Sequence, residues 1–362
     1  MKVLGLMSGT SMDGLDCCLA NLKVEKSNLK FNIIDSSTLE YDSKTKKIIS
    51  DTVFKKKYSY DYLNNYLGNI FSEKINKFLK IKKIDLISNH GQTITHLDKK
   101  YSIQVSSPKT IYRDFKVPVI FDFRKKDIQN GGNGAPLMPL LDWYLFRNSN
   151  VITINIGGIS NISIIRKNMD KNSIIGFDTG PGMCLIDLYV RNYWNQKYDT
   201  NGLLASKGRT NRIMLNYLMK DKFVSKIHPK SASTEMYDDN YLSKIENFFS
   251  DIKRYDFLRT LVNFTSLSIT ENIKRVSTSF NLSDMKIIIS GGGVKNKILF
   301  DDIKGRLINN KVVLMNYNGI NIDNKESFLM CLLGYTRYLN IPNNIPSVTG
   351  ANKELICGEI YE

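Results

Sequence analysis

Nothing in this 362-residue chain approaches the roughly 20 unbroken apolar residues that a membrane-spanning helix requires. The run 3–22 carries Asp13 and Asp16 and has no basic segment leading into an apolar one, so it does not read as a signal peptide. Cysteine is scarce and odd in number, with Cys17, Cys18, Cys184, Cys331 and Cys357 and no C-x-x-C pair. Cys17 and Cys18 are neighbours in a strand-like run, so their side chains point to opposite faces; the expectation is five buried, reduced thiols in a cytoplasmic protein. Only three histidines occur. His90 and His96 lack a third ligand at metal-binding spacing, which disfavours zinc and leaves His90 a structural or substrate-bonding role, while His228 reads as a surface residue. Acidic residues are outnumbered, 35 against 51 Lys and Arg, for a formal charge of +16. The basic residues are dispersed in short clusters at 44–47, 55–57, 82–83 and 125–126, with no zinc spacing, aromatic RNA-binding motif or continuous basic helix. A solvated lysine-rich surface is therefore expected, and no nucleic-acid partner. Also missing are G-x-x-x-x-G-K-[ST] and a G-x-G-x-x-G preceding a helix, which sets aside the P-loop and Rossmann modes of phosphate binding.

What the chain does contain points to α/β architecture. Its length makes two domains the default. Residues 2–7 and 15–22 read as strands joined by the turn SGTSMDG, followed by a strand-like run at 29–41. Tyr62, Leu63, Tyr66, Leu67, Ile70, Phe71, Ile75, Phe78 and Leu79 have helical spacing and read as ordinary core packing. Strands are expected again at 84–88 and 117–123. At 151–165 the opening theme of strand, glycine turn and strand returns as VITINIGGISNISII, about 150 residues after its first appearance. GFDTGPG at 176–182 reads as a further glycine turn before a helix over 183–194. KIIISGGG at 286–293 reads as a strand entering another turn, before a helix over 296–307. Two duplicated α/β domains facing a ligand cleft are expected. Their boundary is placed at GGNGAP, 131–136, giving 1–134, possibly joined by 345–362, and 135–344.

A turn that approaches a polyphosphate needs residues without bulky Cβ groups, together with hydroxyl and backbone N–H donors. Ser8-Gly9-Thr10-Ser11-Met12-Asp13-Gly14 supplies all of these. Asp13 would repel a phosphate unless a cation lies between them, which suggests Mg²⁺ bridged by water. A polar hairpin turn fits the same composition equally well. Asn155, Gly157 and Gly158 offer a second phosphate-contacting hairpin, and Ser290-Gly291-Gly292-Gly293 a third close backbone approach. Asp178, followed by a turn and a helix, is placed as a general base; a helix N-cap or Asx turn is the competing structural explanation. Arg124, at a strand end, suits a bidentate pair with a substrate carboxylate, or equally an ion pair with a nearby aspartate.

MSGTSMDGLD at 7–16, HGQT at 90–93, DFR at 122–124, GGNGAPLMP at 131–139, NIGGISNI at 155–162, FDTGPG at 177–182, SGGGVKN at 290–296, DNKES at 323–327 and TGA at 349–351 together resemble the anhydro-N-acetylmuramic acid kinase family, in that family's order and across essentially the whole chain. The resemblance implies two ribonuclease-H-like domains of the actin-like ATPase class closing over ATP and Mg²⁺, and a homodimer. It implies that Gly9, Thr10, Ser11, Met12, Asp13, Gly14, Leu15 and Asp16 form the first phosphate loop, that Asn155–Asn161 is a second, and that Gly291, Gly292 and Gly293 lie near the adenosine. Asp178 matches the catalytic aspartate, and Glu326 is a second acidic candidate for orienting water, or else a helix N-terminal charge. His90, Gln92, Arg124, Gly134 and Ala135 are the candidate substrate contacts.

The implied reaction opens the 1,6-anhydro bridge of anhydro-N-acetylmuramic acid with water and phosphorylates O6, in peptidoglycan recycling. Levoglucosan is the alternative anhydro-sugar. Opening such a ring calls for a carboxylate base on the face opposite the departing oxygen, which then meets the γ-phosphate in line. The chain departs from the family's usual pattern at Met183, where Asn is common, at Asn133, where Gln is common, and at Ser233-Thr234, where Gly-Arg is common. An active enzyme is expected nonetheless, because the phosphate loops and Asp178 are intact.

Overall fold

The structure is a computed structural model that describes residues 1–9, 12–277 and 281–362. The chain divides into two compact units, Met1–Leu145 with Asn316–Glu362, and Phe146–Met315.

In the first unit, β1 (Lys2–Ser8), β2 (Gly14–Glu25) and β3 (Asn28–Glu40) form an antiparallel meander. On the other side of β1, β4 (Leu86–Leu97) runs parallel to it; β5 (Tyr101–Val105) folds back on β4, and β6 (Val119–Phe121) runs parallel to β4. The last strand, Glu359–Tyr361, closes the edge against β6. Across this seven-stranded sheet the order is the C-terminal strand, β6, β4, β1, β2, β3.

Alternation along β1 sends its side chains to two different covers. Leu4 and Leu6, both fully buried, join Leu63, Leu67, Phe71 and Ile75 of the Tyr60–Leu79 helix in one core, as the helical spacing predicts. On the opposite face lies the Lys325–Tyr338 helix, and Gly5 lets it come close: a Cβ there would fall 2.1 Å from the Ser327 carbonyl oxygen and 2.7 Å from the Cys331 nitrogen. Packing of this helix on β1, β2 and β4 draws residues from 316 onward into the first unit, well before the expected return at 345. The Met138–Phe146 helix likewise carries the first stretch past 134, its Asp142 meeting Lys325.

The second unit repeats the plan. β7 (Val151–Ile156), β8 (Ile159–Ile165) and β9 (Ile175–Pro181) form an antiparallel meander, with β10 (Lys286–Ser290) parallel to β7 and β11 (Val312–Leu314) parallel to β10. The order β9-β8-β7-β10-β11 matches β3-β2-β1-β4-β6, so the two units share one plan, as the recurring sequence theme suggested, and it is the ribonuclease-H-like arrangement that the family resemblance implies. Every residue of β7 is buried, as a strand covered on both faces requires. The Arg254–Val276 helix packs against β8 and β9.

Local expectations need adjustment at three places. FDTGPG is mostly strand, because β9 continues to Pro181 and pairs with β8. HGQT lies inside β4 and not at its end. All five cysteines are free thiols as expected, but Cys184 is only half-buried. No helix among the described residues is long and apolar enough to cross a membrane.

Candidate active site

Ligands of open α/β sheets bind beyond the carboxyl ends of parallel strands. In the first unit the candidate residues gather where β1 and β6 end beside the middle of β4, Ser8 pairing with Gln92. Ser8, at the end of β1, donates its hydroxyl to Gln92 Oε1 at 2.7 Å and contacts the Tyr41 hydroxyl at 2.8 Å. Gln92 Nε2 in turn donates to the Gly9 carbonyl at 3.1 Å and to Thr93 O at 3.2 Å. Gln92 is fully buried, and its amide ties Ser8 to the first glycine loop. Within the loop, Met12 has φ +56° and its N–H donates to Gly9 O at 3.2 Å. Thr10 and Ser11 lie outside the described residues. Gly14 and Leu15 begin β2, and Asp16 accepts a hydrogen bond from the Thr38 hydroxyl. The Asp13 carboxylate is about half exposed, with Lys46 Nζ 4.0 Å away.

His90 and Arg124 form a second group in the same unit. Nδ1 of His90 sits 3.0 Å from Gly91 O, and Nε2 faces Arg124 Nε at 3.3 Å and Nη2 at 3.1 Å. A neutral imidazole with its proton on Nδ1 satisfies both contacts, donating to the carbonyl and accepting from the guanidinium. Burial, then the Arg124 charge, push His90 down to about 3, which keeps it neutral. Arg124 Nη1 donates to Gly134 O at 2.8 Å, so the guanidinium is held at the GGNGAP loop. Ala135 is buried beside it.

That loop is stapled by a residue missed in the sequence. Asp127, 2% exposed, accepts from Gly134 N at 2.9 Å, Asn344 Nδ2 at 2.9 Å and Thr349 Oγ1 at 2.8 Å. Hydrogen bonds to a buried carboxylate contribute about 1.5–3 kcal/mol each. A Cβ on Gly132 would lie 2.0 Å from Asp127 Oδ2, which explains the glycine. The signal available in sequence was an aspartate four residues ahead of a glycine loop, with TGA far downstream. Glu326 stands in the first turn of the Lys325–Tyr338 helix, where its charge suits the macrodipole.

In the second unit the carboxyl ends of β7 and β10 lie side by side, Asn155 pairing with Ser290. Ser290 donates its hydroxyl to Asn155 Oδ1 at 3.2 Å. The Gly157 and Gly158 carbonyls accept from Met183 N at 2.8 Å, Gly182 N at 2.9 Å and Cys184 N at 3.1 Å. The hairpin turn thus occupies the first donors of the Cys184–Trp194 helix, and a Cβ on Gly182 would fall 2.3 Å from Gly157 O. Met183 supplies its N–H in this contact, a role that any residue but proline can fill. Gly291 has φ +88° and passes against Ile156, while Gly292 is exposed with no neighbour near its missing Cβ, leaving open backbone.

Asp178 lies on β9, not in a turn, and is 5% exposed. A bulge occurs beside it: Asn161 pairs with Asp178 and Ser160 with Gly180, so Thr179 is the extra residue. Asp178 Oδ2 accepts from Ser231 Oγ at 3.1 Å and from Ala232 N at 2.8 Å, and its own N–H donates to Lys230 O at 3.2 Å. The N-cap explanation is removed, because these donors belong to a separate loop and not to a helix that Asp178 begins. His228, read as a surface residue, stacks on Phe177 with ring centroids 5.2 Å apart.

The sequence model described as anhydro-N-acetylmuramic acid kinase matches residues 1–362. The chain is 36% identical to the anhydro-N-acetylmuramic acid kinase of Clostridioides difficile, covering 99% of this chain and 98% of that protein. It is 32% identical to that of Caldanaerobacter subterraneus, over 99% and 96%, and 31% identical to that of Haemophilus influenzae, over 99% and 97%.

Proposed function

The chain belongs to the anhydro-N-acetylmuramic acid kinase family, and from that premise we propose that it opens the anhydro bridge of anhydro-N-acetylmuramic acid with water and transfers the γ-phosphate of ATP to the freed O6. The products are N-acetylmuramic acid 6-phosphate and ADP, and the context is peptidoglycan recycling in the cytoplasm. The whole-length family match is the observation that carries this reading.

Asp178 takes a proton from the attacking water as the water oxygen bonds to C1. The C1–O6 electron pair leaves on O6, which attacks the γ-phosphorus, and ADP departs with the β–γ bridging oxygen. The proton on Asp178 then passes to solvent, one per turnover. A carboxylate held by Ser231 and Ala232 supports this role, since its orientation is set before substrate arrives. Glu326 is assigned to orienting the water.

Arg124 is assigned to the lactyl carboxylate, with His90 fixing the guanidinium plane and Gly134 and Ala135 forming the adjoining wall. Gly9 through Asp16, Thr10 and Ser11 included, are assigned to the phosphates together with Asn155, Gly157 and Gly158; Gly291, Gly292 and Gly293 are assigned to the adenosine. Mg²⁺ bound with ATP supplies neutralisation of phosphate charge. Asp13 fits as its water-mediated holder: it is a half-exposed carboxylate, no cluster of three acidic, His or Cys ligands occurs among the described residues, and nucleotide-bound Mg²⁺ keeps several waters. A homodimer is assigned on resemblance.

ADP release coupled to NADH oxidation, measured with anhydro-N-acetylmuramic acid, levoglucosan and glucose, tests the assignment. Turnover is expected with the first at least about 10⁴-fold above the others, the discrimination that a site built to pair a substrate's polar group achieves. Equal rates with levoglucosan would overturn the substrate assignment.

A further inference from the structure

Lys230 is fully buried, which for a lysine requires that its ammonium be satisfied within the protein. An ammonium has three donors. Lys230 Nζ meets three acceptors: Phe223 O at 3.0 Å, Val224 O at 3.1 Å and Asn272 Oδ1 at 2.9 Å. Asn272, on the Arg254–Val276 helix, sends its amide to Thr179 O at 3.2 Å, Val224 O at 3.2 Å and Ser268 O at 2.8 Å. Thr179 is the bulged residue next to Asp178. Lys230 is also followed directly by the two residues that donate to Asp178 Oδ2, and its carbonyl accepts the Asp178 N–H. Its aliphatic stem and charge lie near the Phe177 and Phe223 rings, with Nζ 5.4 and 5.0 Å from their centroids.

We propose that Lys230 is a positioning residue for the reaction: its buried ammonium, bound through Asn272 and the Phe223–Val224 carbonyls, anchors residues 230–232 so that Ser231 and Ala232 hold the Asp178 carboxylate in its reactive orientation. The proposal rests on Asp178 being the base. Lys230 does not touch the reacting atoms in this scheme; it acts through the loop. Burial, then Arg275, push Lys230 down to about 8, so the ammonium remains the majority form at pH 7. The charged and titratable groups around it and Asp178 are Arg275 on the long helix, Asp221 and Lys226 flanking the Lys222–Ser225 helix, His228 against Phe177, and Tyr237 near Asp178.

Hydrogen bonds to a carboxylate favour its charged form. Releasing the Ser231 and Ala232 donors therefore shifts the acid limb of the rate profile to higher pH, which loss of packing alone does not do. The experiment compares Lys230→Met, Ser231→Ala and the double variant with the unaltered enzyme, using kcat, KM for ATP and sugar, and the pH dependence of kcat/KM. Lys230→Met is expected to lose about 10²-fold in kcat, as a slightly misplaced catalytic group does, with both KM values little changed. Both single variants are expected to move the acid limb upward, and the double variant to be no slower than Lys230→Met alone. An unmoved acid limb in Ser231→Ala, which keeps the fold, overturns the proposal even where Lys230→Met unfolds. So does multiplication of the two rate losses. Asp178→Asn, run beside them, separates the two readings: full activity there sinks the base assignment, whereas an inactive Asp178→Asn with an unmoved limb in Ser231→Ala sinks the anchor alone.

Discussion

Lys325 and Asp142 face one another 2.7 Å apart, each with about 1% of its side chain exposed. One stands at the start of the Lys325–Tyr338 helix and the other in the Met138–Phe146 helix, so the pair ties two distant segments of the first unit beside Glu326. A lysine at a helix N-terminus opposes the macrodipole, and burial removes its hydration, so the aspartate offsets both costs. Lys325→Met leaves the Asp142 charge buried and is expected to cost about 3 kcal/mol or more in stability. Lys325→Met combined with Asp142→Leu should recover most of that loss. Urea denaturation of the three proteins measures both, and a double variant no more stable than the single one would show that the two charges are not coupled.

Gly5 sits where β1 meets the Lys325–Tyr338 helix, with a Cβ position 2.1 Å from the Ser327 carbonyl. Backbone cannot yield as a flexible side chain would, so Gly5→Ala forces the helix away from the sheet. A loss of about 1–3 kcal/mol is expected from such overpacking. Because the first turn of the helix carries Glu326, kcat should fall too. Thermal unfolding and turnover measured on the same preparation check this, and an unshifted Tm would contradict the close approach.

His90 is neutral because burial and the Arg124 guanidinium penalise its protonated form. Its folded pKa of about 3 lies below the ordinary value near 6.5. The unfolded chain therefore binds a proton that the folded one refuses, and stability is lost as pH falls from about 6.5 toward 3. Between pH 7 and pH 5 this group alone accounts for about 2 kcal/mol. Replacing it with glutamine, which can still accept from Arg124, should flatten the acid side of the stability profile. Denaturant midpoints at pH 7, 6 and 5 give the slope, and equal slopes for both proteins would remove His90 from the account.

The fold was legible where apolar periodicity is simple. Buried β7, with four Val or Ile residues among its six, and the Tyr60–Leu79 helix, with its i, i+4 apolar spacing, lie where the sequence places them. Duplication was legible because the strand–glycine turn–strand theme recurs, and the matching sheet orders are its structural counterpart. Less was readable where partners come from far along the chain. Nothing near Lys230 announces that Asn272 will meet it, and nothing near Asp127 announces Asn344 and Thr349. Gln92 is a further case, since the Ser8 hydroxyl and Gly9 carbonyl that its amide meets stand more than eighty residues earlier. Glycines posed an ambiguity of their own. Gly132 and Gly182 are required by neighbouring oxygen atoms, whereas Gly292 is the one among these three with open space around it.

Arg124 donates to both His90 and the Gly134 carbonyl, a geometry that uses the fork of a guanidinium. Lysine cannot reproduce it. Arg124→Lys is expected to raise KM for the anhydro amino sugar about tenfold or more, with KM for ATP within about twofold, as loss of a bidentate carboxylate contact predicts. Steady-state kinetics with each substrate varied in turn distinguishes the two, and an equal rise in both KM values would argue for a general loss of structure.

Asp178 is the residue on which the proposed chemistry turns. Asparagine preserves its volume and can still accept from Ser231 and Ala232 through its carbonyl oxygen, so Asp178→Asn removes the base while leaving the bulged end of β9 intact. General-base catalysis contributes about 10²–10⁴-fold, so kcat should fall by at least about 10³-fold, given that the same carboxylate also starts the ring opening on which phosphoryl transfer depends. Nucleotide affinity should remain within about threefold, because no phosphate contact is assigned to this side chain; a difference of that size is under 1 kcal/mol. Calorimetry with ADP and the coupled assay together make the test: turnover near the unaltered rate would show that another group activates the water, and loss of ADP binding would mean that the substitution acts on the nucleotide site.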